Sequence, residues 1–186
     1  IDEYAVWAKG ISFVNITDAD LDNSTYESAE NKFLANDIPK ATEGFKKYII
    51  TFPEGLHVLQ ANFYLAQLLV KSNLHDKAIQ NYQYVINQSQ SEYSEESLNK
   101  LSQILLEKGN WPAAIPLLER LEQEANLPLN ILYAQSNLMK GYYQSQKYDK
   151  AVEYSEKILL QDRIEALVEY DAKIIIARSA FQTDDD

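Results

Sequence analysis

Residues 63–86, FYLAQLLVKSNLHDKAIQNYQYVI, contain the pattern that decides the fold. On both sides of Asn73, apolar side chains recur at the i, i+3, i+4 and i+7 spacing of an amphipathic helix. Asn tolerates the left-handed backbone conformation that ends many helices, so we expect a turn there. The small residues Ala66 and Ala78 fall where two helices would cross most closely. The stretch therefore predicts two short antiparallel helices that pack against each other.

The same pattern recurs along the chain with a nearly constant period. The small residues that open the second helix of each pair are 37, 36 and 37 residues apart, and we call them the anchor alanines: Ala41, Ala78, Ala114 and Ala151. The turns fall at Asn36-Asp37, Asn73, Gly109-Asn110 and Gln146-Lys147. Among these residue types, Gln is the least suited to a turn. A fixed period in this range is typical of a helical solenoid.

The repeats predict an all-α fold, a right-handed superhelical solenoid of antiparallel helix pairs. Four repeats and a truncated fifth are expected at about residues 23–55, 56–91, 92–127, 128–163 and 164–186. Residues 1–22 do not fit the repeat. We expect an N-terminal helical cap and a loop there, packed through Trp7, Ile11 and Phe13, because a terminal repeat otherwise exposes an apolar face.

The last segment is expected to be an incomplete repeat. Ala177 occupies the small position of a fifth first helix, and the second helix would begin just beyond Asp186. Because the chain also begins at Ile1 rather than Met, we expect it to be a piece of a longer array. Part of the surface of residues 174–176, all isoleucines, is therefore expected to be exposed.

Charge and composition argue against several classes of function. The chain has 17 basic and 28 acidic residues, a net charge of −11, and no basic patch, so we do not expect it to bind nucleic acid. It contains no cysteine, which excludes disulfides and thiolate chemistry. The longest apolar runs are far too short to span a bilayer, and no transmembrane segment is expected in this chain.

No motif for catalysis, metals or cofactors is recognisable in the sequence. His57 and His75, the only histidines, lack metal-ligand spacing, and there is no glycine-rich phosphate loop. We therefore expect a protein that is not an enzyme and that holds no metal or cofactor.

Residues 18–22, DADLD, resemble the start of a calcium loop because their carboxylates alternate. The sixth and twelfth positions of such a loop require Gly and Glu, but Asn23 and Ala29 stand there. We expect instead a solvated loop whose acids, together with Ser24 or Thr25, cap the helix that follows.

The small and bulky positions of the repeat resemble those of the tetratricopeptide repeat (TPR) over about residues 23–163. The period is longer than the ~34 residues usual for that family. This longer period and residues 48–55, YIITFPEG, are similar to a subgroup found in bacterial cell-envelope proteins. That subgroup includes accessory subunits of outer-membrane assembly and of the Tol–Pal system. It implies a periplasmic or outer-membrane-associated protein, with a cytoplasmic location as the alternative.

The resemblance also implies a concave groove lined by the first helices. Its peptide-binding positions lie 18, 15, 11 and 8 residues before each anchor alanine: Asn23, Tyr26, Glu30, Phe33, Gln60, Phe63, Gln67, Val70, Glu96, Asn99, Gln103, Leu106, Tyr133, Ser136, Lys140 and Tyr143. Aromatic side chains interleaved with amides suit an extended peptide, since amides pair with its backbone and rings contact its side chains. Packing between first helices is the alternative for Phe33, Val70, Leu106 and Tyr143.

One known type of TPR partner is not expected. In TPR co-chaperones, a clamp of Lys, Asn and Arg grips the acidic C-terminal tails of heat-shock proteins. The corresponding positions here hold Tyr26, Glu30, Tyr64, Glu96 and Lys100. An acidic tail would meet like charge at this surface, which argues against that partner.

The resemblance predicts a non-catalytic protein–protein interaction scaffold that binds a peptide or a segment of a partner protein, in a bacterial envelope assembly. One alternative is a structural spacer within a longer repeat array. Substitutions such as Phe63→Ala and Tyr133→Ala would weaken the binding of a partner to a scaffold, whereas in a spacer there would be no such binding to weaken. Another is a glycan-binding envelope protein whose groove tyrosines stack on sugars. Long insertions between repeats would favour the glycan alternative, and the chain has none.

Overall fold

The computed structural model describes residues 17–183, and every regular element in that range is an α-helix. The helices are α1 (Asp18–Leu34), α2 (Ile38–Thr51), α3 (Val58–Lys71), α4 (His75–Ile86), α5 (Ser94–Glu107), α6 (Trp111–Glu124), α7 (Pro128–Gln144), α8 (Tyr148–Leu159) and α9 (Ala166–Thr183). None of these helices combines the length and the apolar character needed to cross a membrane. The cap residues Trp7, Ile11 and Phe13 lie outside the described range.

The chain divides into two compact units, of which unit 1 ends at Tyr93 and unit 2 begins at Ser94. In unit 1, each of α1, α2 and α3 packs against the helix that follows it. In unit 2, α5 to α8 do the same, and α7 also contacts α9. The two helices of each complete pair are joined by three residues. The predicted all-α fold of antiparallel helix pairs is confirmed.

The small residues that the sequence pattern places between the helices of each pair are buried. All four anchor alanines are completely buried. In the first pair, α1 and α2 approach so closely that a Cβ atom added to Gly44 would lie 2.8 Å from the Cβ atom of Ala29. Protein interiors are close-packed, so a larger side chain at such a crossing would force the two backbones apart.

Each helix pair turns at one residue in the left-handed backbone region. These residues are Asn36 (φ 56°), Asn73 (57°), Gly109 (69°) and Gln146 (59°). After each of them, the next N–H group returns to a carbonyl of the first helix, as from Leu74 to Leu69 at 2.8 Å. This geometry ends the helix and satisfies carbonyls at its C-terminus. Gly and Asn adopt it readily, but Gln146 does so at a cost in free energy.

The start of α1 differs from the sequence-based expectation. Ser24 and Thr25 lie inside α1 and do not cap it. The cap is Thr17, whose hydroxyl accepts from the N–H of Asp20 at 3.1 Å, while the Asp20 carboxylate accepts from the N–H of Thr17 at 2.9 Å. Because this reciprocal capping box starts the helix earlier, residues 18–22 are helical and the expected loop is absent. Within the described residues, no three His, Cys, Asp or Glu side chains could hold a metal ion.

Helix α9 exposes part of the expected apolar surface and also other apolar side chains. Ile175 is buried, and its neighbours at 174 and 176 are half-buried, because α9 packs against α7 and α8. The most exposed apolar side chains are instead Leu167 (68%), Tyr170 (61%) and Phe181 (67%). The expected exposure is therefore found in part at residues 174 and 176, but not at Ile175, and the larger exposed apolar side chains of this helix lie elsewhere.

The turn at Gln146 predicts a stabilising substitution. Gln146→Gly should raise the free energy of unfolding by about 1 kcal/mol, because Gly adopts a positive φ without the strain that a Cβ atom causes. Urea denaturation followed by circular dichroism measures this change. The control is Gln80→Gly, at an exposed position inside α4, which should lower the free energy of unfolding by about 1 kcal/mol. Destabilisation by both substitutions would contradict the assignment of the turn.

Candidate peptide-binding surface

Aromatic side chains from α1, α3 and the segment before α5 form a continuous cluster in unit 1. The ring centroids of Phe33 and Tyr64 lie 4.7 Å apart, and those of Phe63 and Tyr93 lie 4.8 Å apart. Tyr64 and Tyr93 meet edge to face, with centroids 6.2 Å apart. Rings at these separations stabilise one another. Phe63 is buried, whereas the other three rings are half-buried and reach the protein surface.

A chain of polar side chains runs beside these rings. His57 Nε2 lies 2.8 Å from Asn23 Oδ1, and His57 Nδ1 lies 3.1 Å from Gln60 Oε1. Gln60 Nε2 donates to the Tyr93 hydroxyl at 2.8 Å. The His57 ring also stacks on Tyr26, with centroids 4.3 Å apart. Two amides that the sequence pattern assigns to a peptide backbone are therefore hydrogen-bonded within the protein.

His57 and Tyr93 occupy the same position of the repeat, 21 residues before an anchor alanine. Asn130 has this position in unit 2, where it accepts from Asn99 Nδ2 and donates to Glu95 Oε1, both at 2.7 Å. Each of the three side chains thus binds the first helix that precedes it in the chain. Sequence reasoning missed them because they lie just before the helix start or in its first turn, outside the amphipathic pattern. Their common register was the signal that could have identified them.

Two carboxylates hold the loops between repeats. Asp22 is 6% exposed and accepts hydrogen bonds from the Tyr48 hydroxyl and from the N–H of Leu56, the latter at 2.8 Å. Glu95 has the same repeat position and accepts from the N–H groups of residues 126 and 127, at 2.9 and 3.1 Å. Hydrogen bonds to an ionised group are stronger than neutral ones, so each carboxylate fixes the start of the following repeat.

The predicted groove residues differ in accessibility. Three of them are buried: Tyr26 (3% exposed), Phe63 (5%) and Asn99 (8%). Glu96 is exposed, and the rest are half-buried: Asn23, Glu30, Phe33, Gln60, Gln67, Val70, Gln103, Leu106, Tyr133, Ser136, Lys140 and Tyr143. The rings of Tyr26 and Phe63 therefore support the surface from beneath. Phe63→Ala would test stability more than binding.

In unit 2, several predicted groove residues bind one another or a neighbouring helix. Gln103 Nε2 donates to Asn99 Oδ1 at 2.6 Å, and Lys140 forms an ion pair with Asp171 of α9 at 2.7 Å. A cleft of about 360 Å³ lies between Tyr143 and the C-terminal half of α9. Unit 2 thus offers an apolar cleft beside α9, while unit 1 offers polar aromatic side chains.

The accessible part of the unit 1 cluster has a distinct electrostatic character. We call Glu30, Gln60, Tyr64, Glu92 and Tyr93 the tyrosine surface. Burial raises the pKa of Tyr64, and the Glu30 carboxylate raises it further. A hydrogen bond with Tyr93 opposes this shift, and the Glu92 carboxylate adds to it. Burial also raises the pKa of Tyr93, to about 12. Both hydroxyls therefore stay protonated at neutral pH, in a negative electrostatic field.

The sequence matches no protein-family model, but several solved structures share its arrangement of helices. YrrB, a TPR protein with an unusual peptide-binding site, superposes with a TM-score of 0.65 at 15% identity, over 84% of this chain and 76% of its own. A TPR protein from Parabacteroides merdae has a TM-score of 0.65 at 16% identity, over 88% of this chain and 61% of its own. The TPR domain of P58(IPK) has a TM-score of 0.50 at 14% identity, over 88% of this chain and 48% of its own.

The fold is that of the tetratricopeptide repeat. The chain spans between about half and three quarters of the length of these TPR structures. At identities of 14 to 16%, the likeness establishes the TPR fold alone.

The Glu95 hydrogen bonds predict a pH-dependent stability. Burial raises the pKa of Glu95, but hydrogen bonds from residues 126, 127 and 130 outweigh this effect and lower the pKa below its ordinary value of 4.5. Glu95 therefore binds a proton more tightly in the unfolded chain than in the folded protein. Its contribution to the free energy of unfolding is complete above the ordinary pKa, and it is lost as the pH falls through the lowered pKa of the folded state. Glu95→Gln should lower the free energy of unfolding by about 1 kcal/mol near neutral pH and by less near pH 3.

Urea denaturation at both pH values measures this difference. Glu165→Gln makes the same change of charge at an exposed residue and should leave the free energy of unfolding nearly unchanged. A loss of equal size for Glu95→Gln at neutral and acidic pH would show that the carboxylate charge does not act as described.

Proposed function

We propose that the protein is a non-catalytic scaffold that binds a peptide, or a segment of a partner protein, across α1 and α3 of unit 1. The observation that carries the proposal is the pair of half-buried tyrosines, Tyr64 and Tyr93, which Gln60 and the neighbouring rings hold at the surface. Tyrosine combines a large apolar ring with a polar tip, and it is enriched in protein interfaces. The peptide-binding site of YrrB, which shares the fold, agrees with this proposal.

The polar network determines how this surface would bind a partner. Asn23 and Gln60 are paired with His57 and Tyr93, so their role is to fix these rings rather than to pair with a peptide backbone. A partner would then contact rings and hydroxyls whose conformation is set before binding. Such preorganisation strengthens binding because fewer side chains lose conformational freedom in the complex.

We further propose that the scaffold acts in a bacterial envelope assembly. The support is the resemblance of the 36- to 37-residue period and of residues 48–55 to the envelope TPR subgroup. In the structure, this segment ends α2 and leads into the loop that Asp22 holds through the N–H of Leu56. The segment therefore sets the position of α3, which carries Tyr64.

Substitutions at Tyr64 test the proposed binding. Phage carrying random peptides are selected on the purified protein, and the affinities of the selected peptides are measured by isothermal titration calorimetry. Tyr64→Ala should weaken these peptides about tenfold or more, because it removes an aromatic ring from the centre of the surface. Gln83→Ala, at an exposed position on α4, is the control and should bind them as the wild type does.

The conservative variant Tyr64→Phe separates binding from stability. It keeps the ring and loses only the hydroxyl, so its affinity should lie between those of the wild type and Tyr64→Ala. Thermal melts show whether each variant is folded. If no peptide can be selected, or if the selected peptides bind Tyr64→Ala as tightly as the wild type, the proposal is wrong, and the structural spacer becomes the better explanation.

A further inference from the structure

We infer that the partner segment presents a lysine or arginine side chain to the tyrosine surface. The inference rests on the proposed function and adds to it the chemical class of the partner. It is carried by three features of unit 1: the charge of its first helices, the position of two carboxylates and the exposure of two rings.

The first helices of unit 1 carry more acidic than basic residues. α1 contains five carboxylates and a single basic residue, Lys32, while α3 contains no acidic residue and a single basic one, Lys71. Both lysines lie in the last turns of their helices. Lys71 Nζ is bound there to Asn36 Oδ1 at 2.7 Å. The positive charges of these two helices thus lie at their C-terminal ends.

Two carboxylates from different segments act on the tyrosine pair. Glu30 of α1 accepts from the Tyr26 hydroxyl at 2.9 Å, and the carboxylate of Glu92, next to Tyr93 in the chain, contributes to raising the pKa of Tyr93. The charges of both carboxylates act on Tyr64. Among residues 17–183, no lysine or arginine forms an ion pair with either of them. Within the described part of the protein, both carboxylates are therefore without an ion-pair partner.

Rings and carboxylates in this arrangement favour a cationic side chain. An ammonium or guanidinium group is attracted to the face of a tyrosine ring when it lies within about 6 Å of the ring centroid. A carboxylate beside the ring adds a charge-assisted hydrogen bond. An acidic or phosphorylated segment would instead be repelled. Apolar residues next to the cation could contact the half-buried ring of Phe33. A segment with Lys or Arg between apolar residues therefore fits best.

Three synthetic peptides of one design test this inference. Each has the sequence Gly-Leu-Xaa-Phe-Xaa-Leu-Gly with a fluorescent label, and Xaa is Lys, Gln or Glu. Binding to the protein is measured by fluorescence anisotropy. The Lys peptide should bind about tenfold more tightly than the Gln peptide, and the Glu peptide should bind most weakly.

A pair of matched variants separates local recognition from general attraction. The net charge of −11 gives any cationic peptide some affinity. Glu30→Gln combined with Glu92→Gln should weaken the Lys peptide about fivefold or more and leave the Gln peptide unchanged. Glu43→Gln combined with Glu54→Gln makes the same change of charge at exposed residues of α2 and its following loop, and it should weaken the Lys peptide by less than about twofold.

The outcomes distinguish the inference of a cationic partner side chain from the proposed peptide-binding function. Equal losses in the two double variants would show non-specific attraction and overturn the inference. Equal affinities of the Lys and Gln peptides, with both affinities lost in Tyr64→Ala, would also overturn it, yet leave the proposed function intact. If neither peptide binds and no selected peptide depends on Tyr64, the proposed function fails as well.

Discussion

The close crossing of each helix pair at a buried alanine is the contact on which the rest of the structure depends. The anchor alanines are completely buried, and a larger side chain at such a position would push the two helices of a pair apart. The left-handed turn residue five positions earlier keeps that register. Side chains near the start of each first helix then reach the same place in successive repeats. In this way the crossing, which involves no functional group, determines where His57, Tyr93 and Asn130 lie.

The candidate surface is built from the same contacts that connect the repeats of unit 1. Gln60 joins His57 to Tyr93, so one amide both links consecutive segments and fixes a ring at the surface. The buried rings of Tyr26 and Phe63 support this arrangement from beneath. The polar side chains that hold this arrangement cannot bind a partner without breaking their own hydrogen bonds. The groups left to contact a partner are the rings and hydroxyls of the two tyrosines and the carboxylates near them.

Much of the fold was predictable from the sequence, but the site was predictable only in part. Period, small residues and turns are local features, and they were sufficient to identify the helix pairs. Asn23 and Gln60 were correctly placed on the first helices, yet their partners lie before a helix start, where periodicity carries no information. Tyr64 follows Phe63 directly, and an apolar stripe is too wide to show which of two neighbours reaches solvent. Only the packed structure distinguishes them.

Mapping of amide chemical shifts by NMR tests the central claim most directly, because it needs no substitution and reports on the whole protein. A peptide selected on the purified protein is titrated into the labelled chain, and the shifted amides are assigned. Binding at the tyrosine surface predicts that the largest shifts fall in α1, α3 and the residues around Tyr93, with little change in α2 and α4. Largest shifts in α2 and α4, on the second helices, would contradict it.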